Sequence, residues 1–100
     1  FVKELLVIDK LVIKNELTEL LRNELPVLRA RLGLSQGKIA ELIGISRQSY
    51  NTIETGKREM TWSTFMSLLG VFQSNEQTLQ MLSQLNEFES KLKFVLDLDE

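Results

Sequence analysis

The segment from Leu34 to Arg58 constrains the fold of this 100-residue chain most strongly; it reads LSQGKIAELIGISRQSYNTIETGKR. Its apolar residues first follow a short helical pattern, Gly44 interrupts that pattern, and a second short helix is expected between Ser46 and Gly56. Two helices of about eight to ten residues, joined by a turn of about three residues that contains a glycine, outline a helix-turn-helix. The second helix of that motif enters the major groove of DNA, so the segment predicts a DNA-binding unit.

Residues with well-known roles at helix ends stand where these helices should begin and end. Ser35 is expected to cap a helix over residues 36–43, and Ser46 to cap the second one, because a serine oxygen can accept a hydrogen bond from a backbone N–H of the first turn. Gly44 can take the positive φ that a tight turn needs. Gly33 is placed to end the preceding helix.

The residues before this segment predict helices whose ends are harder to place. Asp9 could cap a helix that begins at Lys10. Apolar residues recur at helical spacings from Asn15 onward, but Pro26 lies inside that run. Because proline removes a backbone donor, it either kinks one long helix or begins a new one. We prefer a new helix over residues 24–31.

The residues after the segment predict further helices, and with them an all-α fold. Thr61 could cap a helix through Leu69, Ser74 could form a capping box with Gln77, and residues 88–96 form a last amphipathic pattern. The chain is long enough for one domain with a modest core. We predict a helix-turn-helix bundle, with an apolar N-terminal extension over 1–22, a DNA-binding domain over 23–72 and a helical C-terminal extension over 73–100.

Several kinds of chemistry find no support in the composition. The chain has no cysteine and no histidine, which removes the thiolate nucleophile, the commonest general base and the main zinc ligands. We expect no enzyme activity, no cofactor and no metal. The apolar N-terminal run is divided by Asp9 and Lys10, and neither half could span a bilayer, so we expect no membrane segment and a cytoplasmic protein.

Charge is distributed unevenly along the chain, although its net value is only −2. Residues 28–58 hold six basic side chains against two acidic ones, whereas residues 71–100 hold two basic against six acidic. A local basic patch is the electrostatic footprint of nucleic-acid binding, so the distribution favours DNA more than the net charge does.

Several motifs taken together resemble one family. They are LRARLGLSQ at 28–36, Ile39-Ala40, GISRQ at 44–48 and IETGKR at 53–58. This pattern is similar to the lambdoid repressor/Cro superfamily, also called the XRE family of helix-turn-helix regulators, over residues 25–72. The resemblance implies a lambda repressor-like bundle, and pairing of an arginine of the first helix, Arg29, with the glutamate that ends the recognition helix, Glu54.

The exposed face of the recognition helix supplies the candidate base contacts. They are Arg47, Gln48, Asn51 and Thr52. Arginine can bond to the O6 and N7 of guanine, and Gln or Asn to the N6 and N7 of adenine. Residues at the start of such a helix normally reach base edges, and we expect Arg47, Gln48 and Asn51 to be the chief readers.

The candidate phosphate contacts surround these readers. They are Gln36, Ser46, Tyr50, Lys57 and Arg58. Gln36 stands at a helix N-terminus, where free backbone N–H groups suit an anion. Tyr50 is expected to pack its ring inward and to leave its hydroxyl for a phosphate, while Lys57 and Arg58 should make binding depend on salt.

Two functions remain open at this point. The first is a sequence-specific transcriptional regulator, expected to be a repressor, that binds double-stranded DNA as a homodimer through its N-terminal segment, its C-terminal helices or both. The second is an antitoxin or co-regulator that uses the same fold as a protein-interaction module, with the acidic, leucine-rich segment from Asn75 as its partner surface. Either protein would be bacterial, archaeal or phage-encoded.

Overall fold

The computed structural model describes residues 2–97, and in that range the chain forms six α-helices and no strand. The helices are α1 (Val2–Leu32), α2 (Gln36–Ile43), α3 (Arg47–Glu54), α4 (Trp62–Gln73), α5 (Glu76–Ser83) and α6 (Phe88–Leu96). The all-α prediction is confirmed. Residues 1 and 98–100, which belong to the predicted terminal extensions, lie outside the described range.

The first helix is longer than predicted, because α1 runs without a break for 31 residues through Pro26. The preferred new helix over 24–31, and the start at Lys10, are therefore wrong. Leu17, Leu21, Leu25 and Leu28 form one buried stripe that continues past the exposed ring of Pro26. Proline inside a helix costs about 3 kcal/mol, whereas each buried leucine contributes about 1.5–3 kcal/mol, so the stripe outweighs the proline.

The core lies between α1 and the other helices. α1 contacts α3, α4, α5 and α6, and α2 packs against α3 and α4. The largest fully buried apolar side chains are Tyr50, Phe65, Phe72, Phe88, Leu17, Leu21, Leu25, Leu28, Ile39, Leu68 and Leu82. The predicted domain boundaries after residues 22 and 72 fall inside α1 and α4, so the predicted segments are joined by continuous helices.

The C-terminal helices are part of this core. Leu82, Phe88 and Val95 are buried, and Lys91 of α6 forms an ion pair with Glu16 of α1 at 3.1 Å. Most apolar side chains of the segment from Asn75 onward therefore face inward, which leaves less of that segment for the partner surface of the second function. Leu79, Phe94 and Leu96 remain exposed.

The start of α5 differs from the predicted capping box. Asn75, not Ser74, is the N-cap, and its side-chain oxygen accepts from the backbone N–H groups of Gln77 and Thr78. Ser74 instead donates its hydroxyl to the Val71 carbonyl at the end of α4. Asn75 takes the cap because Ser74 still has helical dihedral angles, whereas the backbone of Asn75 is extended, as an N-cap requires.

The N-terminal part of α1 exposes an apolar surface, which we call the α1 apolar face. It consists of Val2, Leu5, Val7, Ile8, Leu11 and Val12, each between 49% and 68% exposed. Within residues 2–97, no helix combines the length and the apolar character needed to cross a membrane.

Candidate functional site

The turn between α2 and α3 is built by local hydrogen bonds, and the predicted caps are confirmed. Ser35 Oγ accepts from the Lys38 N–H at 3.1 Å, and Ser46 Oγ accepts from the Ser49 N–H at 3.0 Å. Gly44 has φ 81°, and the N–H groups of Gly44 and Ile45 return to α2 carbonyls at 3.2 and 3.0 Å. These two backbone hydrogen bonds form a Schellman motif, which ends α2 and leads the chain directly into α3.

The first turn of α3 presents two of the predicted base readers to solvent. Arg47 and Gln48 are both exposed, and the stem of Arg47 passes over Gly37 at the start of α2. Thr52 is half-buried and donates its hydroxyl to the Ser49 carbonyl at 2.7 Å. Asn51, also half-buried, donates from Nδ2 to Gln36 Oε1 at 3.1 Å. Of the four predicted base readers, Arg47 and Gln48 therefore have the freest side chains.

Four of the five predicted phosphate contacts, all except Tyr50, fall into three groups. Lys57 and Arg58 are exposed in the loop after α3, where the Arg58 N–H donates to the Thr52 carbonyl at 3.1 Å. Ser46 is exposed, but its hydroxyl already caps α3. Gln36 is half-buried at the start of α2. All four lie at or beside the ends of α2 and α3.

The position of Tyr50 in the structure contradicts its predicted role as a phosphate contact. Its side chain is 0% exposed, and its hydroxyl is buried without a hydrogen-bond partner among the described residues. Burial, and then the nearby carboxylate of Glu54, raise the pKa of this phenol far above its ordinary value. Tyr50 lies on the core side of α3, one turn before Glu54, so its ring and its hydroxyl are both enclosed.

An ion pair joins α3 to α1 between the two residues expected to pair. Arg29 Nε donates to Glu54 Oε1 at 3.1 Å, and Arg29 Nη2 donates to Glu54 Oε2 at 2.8 Å. Arg29 Nη1 also donates to the Leu34 carbonyl at 3.0 Å. Two parallel bonds fix orientation as well as distance, so the guanidinium holds the end of α3 and the α1–α2 turn together.

The electrostatics of the pair keep both groups charged. Burial is the largest single influence and would raise the pKa of the Glu54 carboxyl, but the hydrogen bonds and positive charge of Arg29, together with the polar groups of Tyr50 and Gln36, outweigh it and leave that pKa below its ordinary value. The hydrogen bond to Glu54 raises the pKa of Arg29 in turn. Gln36 Nε2 also donates to Glu54 Oε2, at 3.4 Å. The carboxylate is therefore acceptor to both α1 and α2.

Sequence reasoning missed one basic residue beside the site. Arg22 lies against Gly56 in the loop after α3, so closely that a Cβ added at Gly56 would be 3.0 Å from Arg22 Nη1. Its Nη2 is paired with Glu19 at 2.6 Å. Arg22 precedes Arg29 by about two helical turns, so the two residues share a face of α1. This spacing is the sequence feature that could have placed Arg22 beside the site.

Among residues 2–97, no three acidic side chains lie close enough to hold a metal ion.

Comparison with known proteins adds one finding. A family model described as a helix-turn-helix domain matches residues 20–79, which run from the middle of α1 into α5 and include α2 and α3 completely. Comparisons with curated proteins and with solved structures found no match.

Proposed function

Since the chain belongs to the helix-turn-helix domain family, we propose that it is a sequence-specific DNA-binding transcriptional regulator of the XRE, or lambdoid repressor/Cro, type, and that it acts as a repressor. One observation carries this proposal. Arg47 and Gln48 are exposed side by side on the first turn of α3, a helix whose start is capped and whose end is clamped to α1. A rigid helix with free polar side chains at its N-terminus suits the major groove.

The chemistry of these two side chains sets what they would read. Arg47 can donate two bonds to the O6 and N7 of a guanine, and Gln48 can bond to the N6 and N7 of an adenine. Each good pair is worth about 1–3 kcal/mol of discrimination against the wrong base. Lys57 and Arg58 would meet the backbone phosphates beside them, and each such contact would add about one unit to the salt dependence of binding.

A dimer follows from the small size of the reading surface. One recognition helix contacts only a few base pairs, and regulators of this type place two of them about 34 Å apart on one face of the DNA. The α1 apolar face is the largest group of exposed apolar side chains in the described chain, and exposed patches of this kind mark interaction sites. We therefore assign the dimer contact to the N-terminal part of α1.

Selection of bound sites from random DNA tests the reading surface. The wild-type protein should yield a palindromic consensus, while Arg47→Ala and Gln48→Ala should each lose preference at one position of each half-site. Lys93→Ala and Gln80→Ala, which remove exposed side chains of the same two kinds from α6 and α5, are the matched controls and should leave the consensus unchanged. Unchanged selection by both α3 variants would refute direct readout, and the absence of any consensus would favour the antitoxin or co-regulator function.

Sedimentation measurements test the dimer. Ile8→Glu places a charge in the α1 apolar face and should shift the protein to monomers, whereas Val27→Glu should not. Val27 is a close control because it lies on the same helix and is 53% exposed, against 55% for Ile8. Equal behaviour of the two variants would show that the dimer contact lies elsewhere.

A further inference from the structure

We propose that Asn51 is a positioning residue that orients Gln36 toward a phosphate, and not one of the base readers. This inference rests on the proposed DNA-binding function, and it assigns Asn51 a different part in that function from the one its place on the exposed face of α3 suggests. It is carried by a continuous chain of side-chain hydrogen bonds that runs from α1 through α3 and α2 and back to α3.

The chain of bonds begins at the ion pair. Arg29 donates twice to the Glu54 carboxylate, Gln36 Nε2 donates to Glu54 Oε2 at 3.4 Å, and Asn51 Nδ2 donates to Gln36 Oε1 at 3.1 Å. Each link joins two different helices. All four side chains are at least partly buried, which limits the water that could replace these bonds.

The charge of Glu54 sets the direction of every bond in the chain. The two ends of a glutamine amide are nearly identical in shape, so their orientation must come from the hydrogen-bond network. An ionised carboxylate can only accept, so Gln36 must turn its Nε2 toward Glu54 and its Oε1 away. Asn51 faces that Oε1, so it must present its own Nδ2. The reverse orientation would set oxygen against oxygen at Glu54.

This fixed orientation decides what Gln36 can offer to DNA. Its Oε1 accepts from Asn51 and one hydrogen of its Nε2 is directed to Glu54, so the second hydrogen of Nε2 remains as a donor at the N-terminus of α2. A phosphate oxygen accepts such a bond, and the free N–H groups of the helix terminus favour the same anion. Asn51 therefore acts on DNA through Gln36, while Arg47 and Gln48 read the bases.

A double-mutant cycle on DNA binding tests the proposal. Affinity is measured for the wild type, Gln36→Ala, Asn51→Ala and the double variant, on the selected site and on its single-base variants. Loss of one hydrogen bond should weaken binding about two- to twelvefold in Asn51→Ala, equally on all sites. The same change should have no further effect in the Gln36→Ala background. Additive losses, or a relaxed preference at one base position, would overturn the proposal.

A measurement on the free protein separates this proposal from the proposed function. The side-chain amide of Gln36 should be ordered by NMR relaxation in the wild type and mobile in both Asn51→Ala and Asn51→Asp. The aspartate has nearly the same shape but cannot donate, so it also serves if the alanine variant does not fold. If no DNA consensus is found, the DNA-binding proposal fails, and an unchanged Gln36 amide in these variants would separately refute positioning by Asn51.

Discussion

Removal of either member of the Arg29–Glu54 pair should destabilise the protein severely and unequally. Side-chain exposure is 19% for Arg29 and 8% for Glu54, so each would leave a largely buried charge behind. Breaking such a pair costs about 3–5 kcal/mol. The loss of stability in Arg29→Ala should lie at the upper end of this range, because the substitution leaves the more buried partner unpaired and also removes the hydrogen bond to the Leu34 carbonyl. The loss in Glu54→Ala should lie near the lower end, because Arg29 keeps its bond to that carbonyl and can turn its free donors toward water.

The pH dependence of stability follows from the lowered pKa of Glu54. A carboxyl whose pKa is lower in the folded protein stabilises it fully above the unfolded pKa, and this contribution is lost as pH falls through the folded pKa. The wild type should therefore lose stability progressively below about pH 4.3, the ordinary pKa of glutamate. Glu54→Gln has no titratable group at this position, so its stability should not show the part of this decrease that comes from protonation of Glu54.

Urea unfolding followed by circular dichroism checks both parts of this prediction. The wild type, Arg29→Ala, Glu54→Ala and the variant with both substitutions form a double-mutant cycle. Measured at pH 7, this cycle should show a favourable coupling between the two side chains, and the loss of stability in Arg29→Ala should exceed that in Glu54→Ala. A series from pH 7 to pH 3 then compares the wild type with Glu54→Gln. Additive losses at pH 7, or parallel pH profiles for the two proteins, would refute the account of the pair as a mutually stabilising one.

Substitutions at three further positions test single contacts by urea unfolding, and the one at Tyr50 also by DNA affinity. Gly37→Ala should stabilise the protein by up to about 1 kcal/mol, because the position is helical and an added Cβ would find its nearest neighbours at 3.7 and 3.9 Å; a loss of stability would show that α2 cannot accept the methyl group. Thr78→Val should cost about 1–2 kcal/mol, because the buried hydroxyl donates to the Phe72 carbonyl, while Thr78→Ser should cost less; the reverse order would assign the effect to packing. Tyr50→Phe should be neutral or stabilising by up to about 1 kcal/mol and should leave DNA affinity unchanged, because it removes an unpartnered buried hydroxyl. Weaker DNA binding by this variant would show that the Tyr50 hydroxyl contacts a phosphate after all.

Local rules accounted for the parts of the fold that depend on neighbouring residues. Ser35, Ser46 and Thr61 act as caps, and Gly44 turns with positive φ, because each of these features depends on one side chain and the adjacent backbone. The helices over α2 and α3 could be placed closely for the same reason. The long apolar stripe of α1 was visible too, as leucines at spacings of three and four.

Apart from the cap of α5, the wrong predictions concern features that are decided by contacts distant in sequence. Pro26 favours a break by local rules, but leucines on both sides of it are buried in the common core, and this burial keeps α1 continuous. Tyr50 could be assigned to the inner face of α3, yet only the packed core reveals that its hydroxyl is enclosed as well. The hydrogen bond from Asn51 to Gln36 could not be predicted either, because it joins two helices through side chains 15 residues apart and no sequence pattern encodes such a contact.

The continuity of α1 has a mechanical consequence. A helix of 31 residues is about 46 Å long, and it carries the α1 apolar face at one end and Arg29, which clamps α3, near the other. Within residues 2–32 the two are separated by unbroken helix and by no flexible linker. A partner bound at the N-terminal end of α1 would therefore fix the direction of α3 as well. In the proposed dimer, the crossing angle of the two α1 helices would set the distance and the angle between the two α3 helices.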